Sequence, residues 1–136
     1  MGEYGYFEHD ADIGIVGSGH TIEEAFESAA KALFSIQCNL SEVRPIQRVD
    51  IDFSEEDFEY ALVTWLNRLV FEAQSKKMAF SEFSLNRSGG KWHGVAIGQH
   101  WTDSMTRGVE VKGATLTGLS VKQEGKEWSA RCIVDV

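Results

Sequence analysis

The clearest chemical signal in the chain lies at its two ends, in Asp10 and Asp12 near the start and in Asp135 and Val136 at the finish. Asp12 falls inside an alternating run, with Ala11, Ile13 and Ile15 on one side and Asp12, Gly14 and Val16 on the other, which predicts a half-buried strand. A carboxylate buried in such a setting is costly unless it is hydrogen-bonded, paired or bound to a metal. Asp10 and Asp12 are two residues apart, so on a strand they share one face. If the strand ending in Ile133-Val134-Asp135-Val136 pairs with this first run, then Asp12, Asp135 and the terminal carboxylate or backbone carbonyl of Val136 form an oxygen-only set. Hard divalent cations such as Ca²⁺, Mg²⁺ or Mn²⁺ prefer such ligands. The alternative is that Asp10 and Asp12 are solvated or cap the following turn, with Asp135 simply near a chain end.

Other chemistries find less support. His9 beside the aspartates would admit Zn²⁺, but no second His or Cys stands at ligand spacing, and His20, His93 and His100 read as surface or satisfied polar residues. The run Gly14-Ile15-Val16-Gly17-Ser18-Gly19 precedes a helix start, a natural anion site, yet its spacing is not that of a dinucleotide loop and no Walker Lys-Ser/Thr follows. Turn geometry at Gly17-Ser18-Gly19-His20 is the simpler expectation. No Ser or Cys stands in a recognisable nucleophile elbow, and Cys38 falls at a helix C-terminal end, which does not favour a thiolate.

The elements that must position these groups can be traced along the chain. Tyr4 to Phe7 and Ala11 to Val16 predict strands. Thr21 with Glu24 three residues on is a capping box, and Ile22, Ala25, Phe26, Ala29, Leu33 and Ile36 define the apolar stripe of a helix ending near Cys38-Asn39. Val49, Ile51 and Phe53 alternate with Asp50 and Asp52; Ser54 is then expected to cap a second helix with core stripe Phe58, Ala61, Leu62, Trp65, Leu66, Leu69 and Val70. Beyond Lys76-Lys77 the pattern changes to strands: a hairpin turning at Ser88-Gly89-Gly90-Lys91, a return strand from Trp92 to Trp101, and runs at Val109–Val111, Ala114–Val121 and Trp128–Val134, with a last hairpin at Gln123-Glu124-Gly125-Lys126. The expected fold is α+β, a largely antiparallel sheet with two helices packed on it.

A length of 136 residues suits one domain spanning the whole chain. Thirteen basic against twenty-one acidic residues give a net charge of −8, which opposes binding to bare nucleic acid and suits solubility, a basic partner surface or a cation. Two separated cysteines do not suggest a disulfide scaffold. No apolar run approaches a membrane span and no signal peptide is evident, so a cytoplasmic protein is expected.

Taken together, His9-Asp10-Ala11-Asp12-Ile13-Gly14, the Gly17-Ser18-Gly19 segment, Thr21-x-x-Glu24-Ala25-Phe26, Ala29-x-x-Ala32-Leu33-Phe34, Gly108-Val109-Glu110-Val111-Lys112, Gly125-Lys126-x-Trp128 and the Val134-Asp135-Val136 ending resemble the archease family over nearly the full length. Asp10 stands where that family has Thr, and a Tyr usual after its E-V-K-A stretch is absent from the Leu116 region. The resemblance implies a non-enzymatic accessory protein for an RtcB-family RNA ligase of tRNA splicing or RNA repair, promoting its guanylylation and multiple turnover. It implies a metal site at Asp12, Asp135 and the backbone oxygen of Val136, with Ca²⁺ the first expectation and Mg²⁺ or Mn²⁺ the others. The alternative is a metal-independent protein-interaction or chaperone-like module that binds partners by strand addition to a sheet edge. A small metal-dependent hydrolase is the remaining reading, and the chain offers no evident general base paired with a nucleophile for it.

Overall fold

The structure is a computed structural model and describes residues 2–9 and 12–136, without the side chains of Glu8 and His9. Its element order is β1 (Glu3–His9), β2 (Asp12–Gly19), α1 (Ile22–Gln37), a 3₁₀ turn (Leu40–Glu42), β3 (Gln47–Ser54), α2 (Phe58–Lys76), β4 (Met78–Ser88), β5 (Lys91–His100), β6 (Gly113–Ala114), β7 (Ser120–Glu124) and β8 (Glu127–Asp135). The α+β architecture is as expected, and its strands divide between two antiparallel sheets. One has the order β1-β2-β8-β6 with β7 also paired to β8; the other has the order β3-β5-β4. Both helices touch strands of both sheets, so the helical layer joins them through one core.

Helix α1 begins where its cap chemistry dictates. Thr21 Oγ1 accepts the Glu24 backbone N–H at 3.1 Å, and the Glu24 carboxylate accepts the His20 N–H at 2.8 Å, which holds the Glu24 carboxyl below the usual range. One face of α1 is cut for close approach. A Cβ on Gly17 of β2 would lie 2.2 Å from the Ala29 backbone nitrogen and 2.4 Å from the Ala25 carbonyl oxygen. The other face carries bulk: Phe34 packs on Phe80 and Phe83 of β4, and Phe26 stacks on Trp92 of β5 with ring centroids 5.1 Å apart. Phe53 stacks on the same indole at 5.7 Å. Both buried indoles of this core find carbonyl partners, Trp65 Nε1 donating to Phe26 O at 3.1 Å and Trp92 Nε1 to Glu55 O at 2.9 Å. Phe80 and Phe83 share a face despite odd spacing because the β4–β5 register shifts between Phe80 and Glu82.

Four local expectations are corrected. The glycine-rich segment 17–19 is strand and not turn: β2 runs through Gly19, and these glycines serve close packing against α1, with no positive φ among them. Ser54 does not cap α2. It pairs with Lys91 as the last residue of β3, and Asp57 caps the helix by accepting the N–H groups of Glu59 and Tyr60 at 2.9 and 3.0 Å. Val109–Val111 is irregular, because Gly108 and Val109 donate their N–H groups to the open carbonyls of Gln37 and Ile36 at the end of α1, at 2.8 and 2.9 Å. The run Ala114–Val121 breaks into β6 and β7 around Gly118, at φ 62°.

Two outcomes test this packing. Gly17→Ala should cost at least about 2 kcal/mol, because the added methyl meets helix backbone and not a yielding side chain; an unchanged urea midpoint would contradict the close contact. Glu27, on α1, accepts the Leu85 N–H at 2.8 Å, and its partial burial raises its carboxyl above the ordinary value of 4.5. A carboxyl raised in the folded state binds more protons there than in the unfolded chain, so stability falls as pH rises from about 4.5 through the raised value. Glu27→Gln keeps an acceptor for Leu85 and should be more stable than the parent at pH 7, with the gain vanishing in acid; thermal melts across pH check this.

Candidate functional site

The β2–β8 ladder brings the two ends of the chain together. It runs from Gly19↔Trp128 to Ile13↔Val134, and Asp12 and Asp135 are the next residues on each strand in that register. Directly opposed residues share a face, and alternation places Ile15, Cys132 and Val134 toward the helices, all buried. Asp12 and Asp135 consequently stand on the opposite face, and both are exposed. Val136 is partly buried and packs against the main core, which anchors the backbone beside Asp135.

Neighbouring strands complete the edge. On one side His9 of β1 pairs with Asp12; on the other, Gly113 of β6 pairs with Asp135. The Lys112 N–H donates to the Asp135 carbonyl at 2.7 Å, and the Val111 N–H to Gln37 Oε1 at 3.0 Å, so the 108–112 stretch is tied to both α1 and the end of β8. From α2, Asn67 accepts the Ala114 N–H at 2.8 Å and so secures the short β6. Neither the Asp12 nor the Asp135 carboxylate has a hydrogen-bond or ion-pair partner among the described residues. Carboxylates and backbone carbonyls are the oxygen donors that hard divalent cations take. Among the described residues no group of three His, Cys, Asp or Glu side chains gathers as a metal cluster. Asp10 lies outside the described residues, as does the His9 side chain on which a zinc site would depend.

The remaining sequence candidates fall elsewhere. Cys38 caps the end of α1 with its Sγ 3.2 Å from Phe34 O, and burial pushes its thiol up to about 11; burial pushes Cys132 up to about 12. Neither is a ready thiolate at neutral pH. A second carboxylate group, not anticipated from sequence, lies on the outer face of the β3-β5-β4 sheet. His93 Nδ1 is 2.6 Å from Asp52 and its Nε2 is 3.7 Å from Asp50, while Arg48 pairs with Asp50 at 2.7 Å and holds that carboxyl below the usual range. These aspartates already have partners, whereas those at the β2–β8 edge have none among the described residues. The alternation of Asp50 and Asp52 was visible in the sequence, but the β3–β5 register that opposes Asp52 to His93 was not.

Like charges opposed across a ladder repel, so in metal-free protein Asp12→Asn or Asp135→Asn should raise the melting temperature slightly, by about 1–3 °C, with the gain shrinking in salt. A marked fall in melting temperature would show that the carboxylates hold the fold together.

The chain matches the Archease protein family over residues 4–136. It is 31% identical to Protein archease of Pyrococcus furiosus, with both chains covered in full. The solution structure of Methanobacterium thermoautotrophicum protein 1598 superposes with a TM-score of 0.82 at 27% identity, covering 98% of each chain. A crystal structure from Thermotoga maritima, described as an archease and possible chaperone, gives a TM-score of 0.66 at 22% identity over 96% of this chain and 94% of that one, a likeness of fold alone.

Proposed function

This chain belongs to the archease family, and from that premise we propose that it is a non-enzymatic accessory protein that activates an RtcB-family RNA ligase, promoting guanylylation and repeated turnover in tRNA splicing or RNA repair. The observation that carries the reading is the opposition, at the end of the β2–β8 ladder and on an exposed edge, of two carboxylates that have no partner among the described residues. Asp12 and Asp135 would hold a divalent cation, Ca²⁺ first, or Mg²⁺ or Mn²⁺, with the Val136 backbone oxygen as a further ligand. When bound, such an ion supplies positive charge that can neutralise phosphate oxygens during nucleotidyl transfer.

The chain's own residues account for the rest of the proposal. The β2–β8 register fixes the spacing of the two carboxylates, and the packed Val136 side chain restrains the third oxygen. The Lys112 N–H donates to the Asp135 carbonyl at 2.7 Å and holds the backbone of the edge in place. The net charge of −8 favours a basic partner surface and faster association at low salt. With a purified RtcB-type ligase, Asp12→Ala and Asp135→Ala should each lower the stimulated guanylylation rate toward the unstimulated level, at least tenfold in effect, while leaving the melt cooperative. Full stimulation by either variant would overturn the carboxylate mechanism; no stimulation by the parent protein would overturn the partner.

A further inference from the structure

A second feature of the molecule is a cavity of about 700 Å³ between the C-terminal ends of α1 and α2 and the 101–110 segment. That volume lies within the range of small-molecule sites. Buried Ala73 and Met78 line it, with Trp101 at the side and Lys77, Arg107 and Glu110 around it. None of these residues belongs to the Asp12–Asp135 edge. We propose that this cavity binds a nucleotide-class ligand, a phosphate joined to an aromatic base.

The phosphate half rests on Lys77 and Arg107. Lys77 caps α2 in the left-handed conformation, φ 55° and ψ 49°, with its N–H on the carbonyls of Ala73 and Gln74. It is the one non-glycine residue with positive φ among those described. Glycine is the default at such a cap and lysine there is strained, a cost that is explained when the side chain itself is used. The Arg107 guanidinium lies 4.1 Å from the Trp101 ring centroid, which fixes its position. Neither cation has an ion-pair partner among the described residues, although the chain carries twenty-one acidic side chains. Helix C-termini would ordinarily repel an anion. Here the carbonyls of Ile36 and Gln37 are closed by the N–H groups of Val109 and Gly108, and those of Ala73 and Gln74 by Lys77.

The base half rests on the Trp101–Arg107 stack, which offers π and guanidinium surface to an aromatic ring. The Glu110 carboxylate can accept a hydrogen bond from an exocyclic amino group, which makes an amino-bearing base the better fit. The chain's overall negative charge opposes a long polyanion, so the ligand is a free nucleotide or the end of a single strand. This proposal is independent of the ligase reading.

The test is an NMR titration of the intact protein with AMP, with inorganic phosphate, and with a single-stranded hexa-adenylate carrying a terminal phosphate. Saturable shifts are expected at the Trp101 indole N–H and the Lys77 and Arg107 amides with AMP, and weaker ones with inorganic phosphate. Lys77→Gly removes the ammonium while relaxing the backbone, so it should fold at least as well as the parent yet bind AMP about tenfold more weakly. Trp101→Ala should abolish the preference for AMP over inorganic phosphate. Tighter binding of the hexamer than of AMP identifies a strand end, and equal binding a free nucleotide; both support the site. The proposal is overturned if neither AMP nor the hexamer gives saturable shifts there at about 10 mM, if Lys77→Gly leaves AMP affinity unchanged, or if inorganic phosphate binds as tightly as AMP.

Discussion

The pairing of β2 with β8 is the constraint on which the rest of the molecule depends. It joins segments from opposite ends of the chain, Ile13–Gly19 with Trp128–Val134, in one antiparallel register. Side chains on a strand alternate, so a slip of one residue would exchange the two faces. The register that buries Ile15, Cys132 and Val134 against the helices therefore also turns Asp12 and Asp135 outward. Burial of the apolar side drives the fold, and the exposed carboxylate edge follows from it geometrically. Two like charges opposed at a strand end contribute nothing favourable to that fold, and this is what motivates the proposal that the edge is a ligand site.

Helix α1 carries this arrangement to the rest of the chain. Its small face, Ala25 and Ala29 against Gly17, seats it on β2; its aromatic face, Phe26 and Phe34, locks it to β4 and β5. Its last carbonyls bind Gly108 and Val109, and Gln37 binds Val111. The 108–112 segment thus hangs from the end of the helix before reaching Asp135 through Lys112. The segment gives Gly108 and Glu110 to the Trp101–Arg107 cavity and, through Lys112, touches the carboxylate edge, although the two are built from different side chains.

What could be read from sequence was the chemistry of nearby residues. Thr21 and Glu24 marked the start of α1, the alternation of Val49, Ile51 and Phe53 marked β3, and Gly89 and Gly125 marked hairpins where the backbone takes φ near 62°. Errors arose where a distant partner decided the outcome. Gly17 and Gly19 look like turn residues until the helix that crosses them is known. Ser54 is an acceptable helix cap until Lys91 claims it for a ladder. Val109 and Val111 have strand propensity, but the open end of α1 takes the N–H of Val109 and the Gln37 side chain takes that of Val111. The Asp12–Asp135 juxtaposition was available as a conditional, since it required the first and last strands to pair; the Asp52–His93 and Trp101–Arg107 contacts depend on registers and loops that no local pattern encodes.

Divalent-ion binding at the edge made by Asp12, Asp135 and Val136 is the proposal on which the function rests. Paramagnetic broadening by Mn²⁺ in an amide NMR spectrum tests it most directly, because the molecule holds a second, partnered carboxylate group on another face as an internal control. Substoichiometric Mn²⁺ should broaden the amides of Asp12, Ile13, Gly113, Asp135 and Val136 first, and Ca²⁺ should reverse the effect. Broadening that begins at Asp50, Asp52 and His93, or that spreads evenly over the acidic surface, would contradict it.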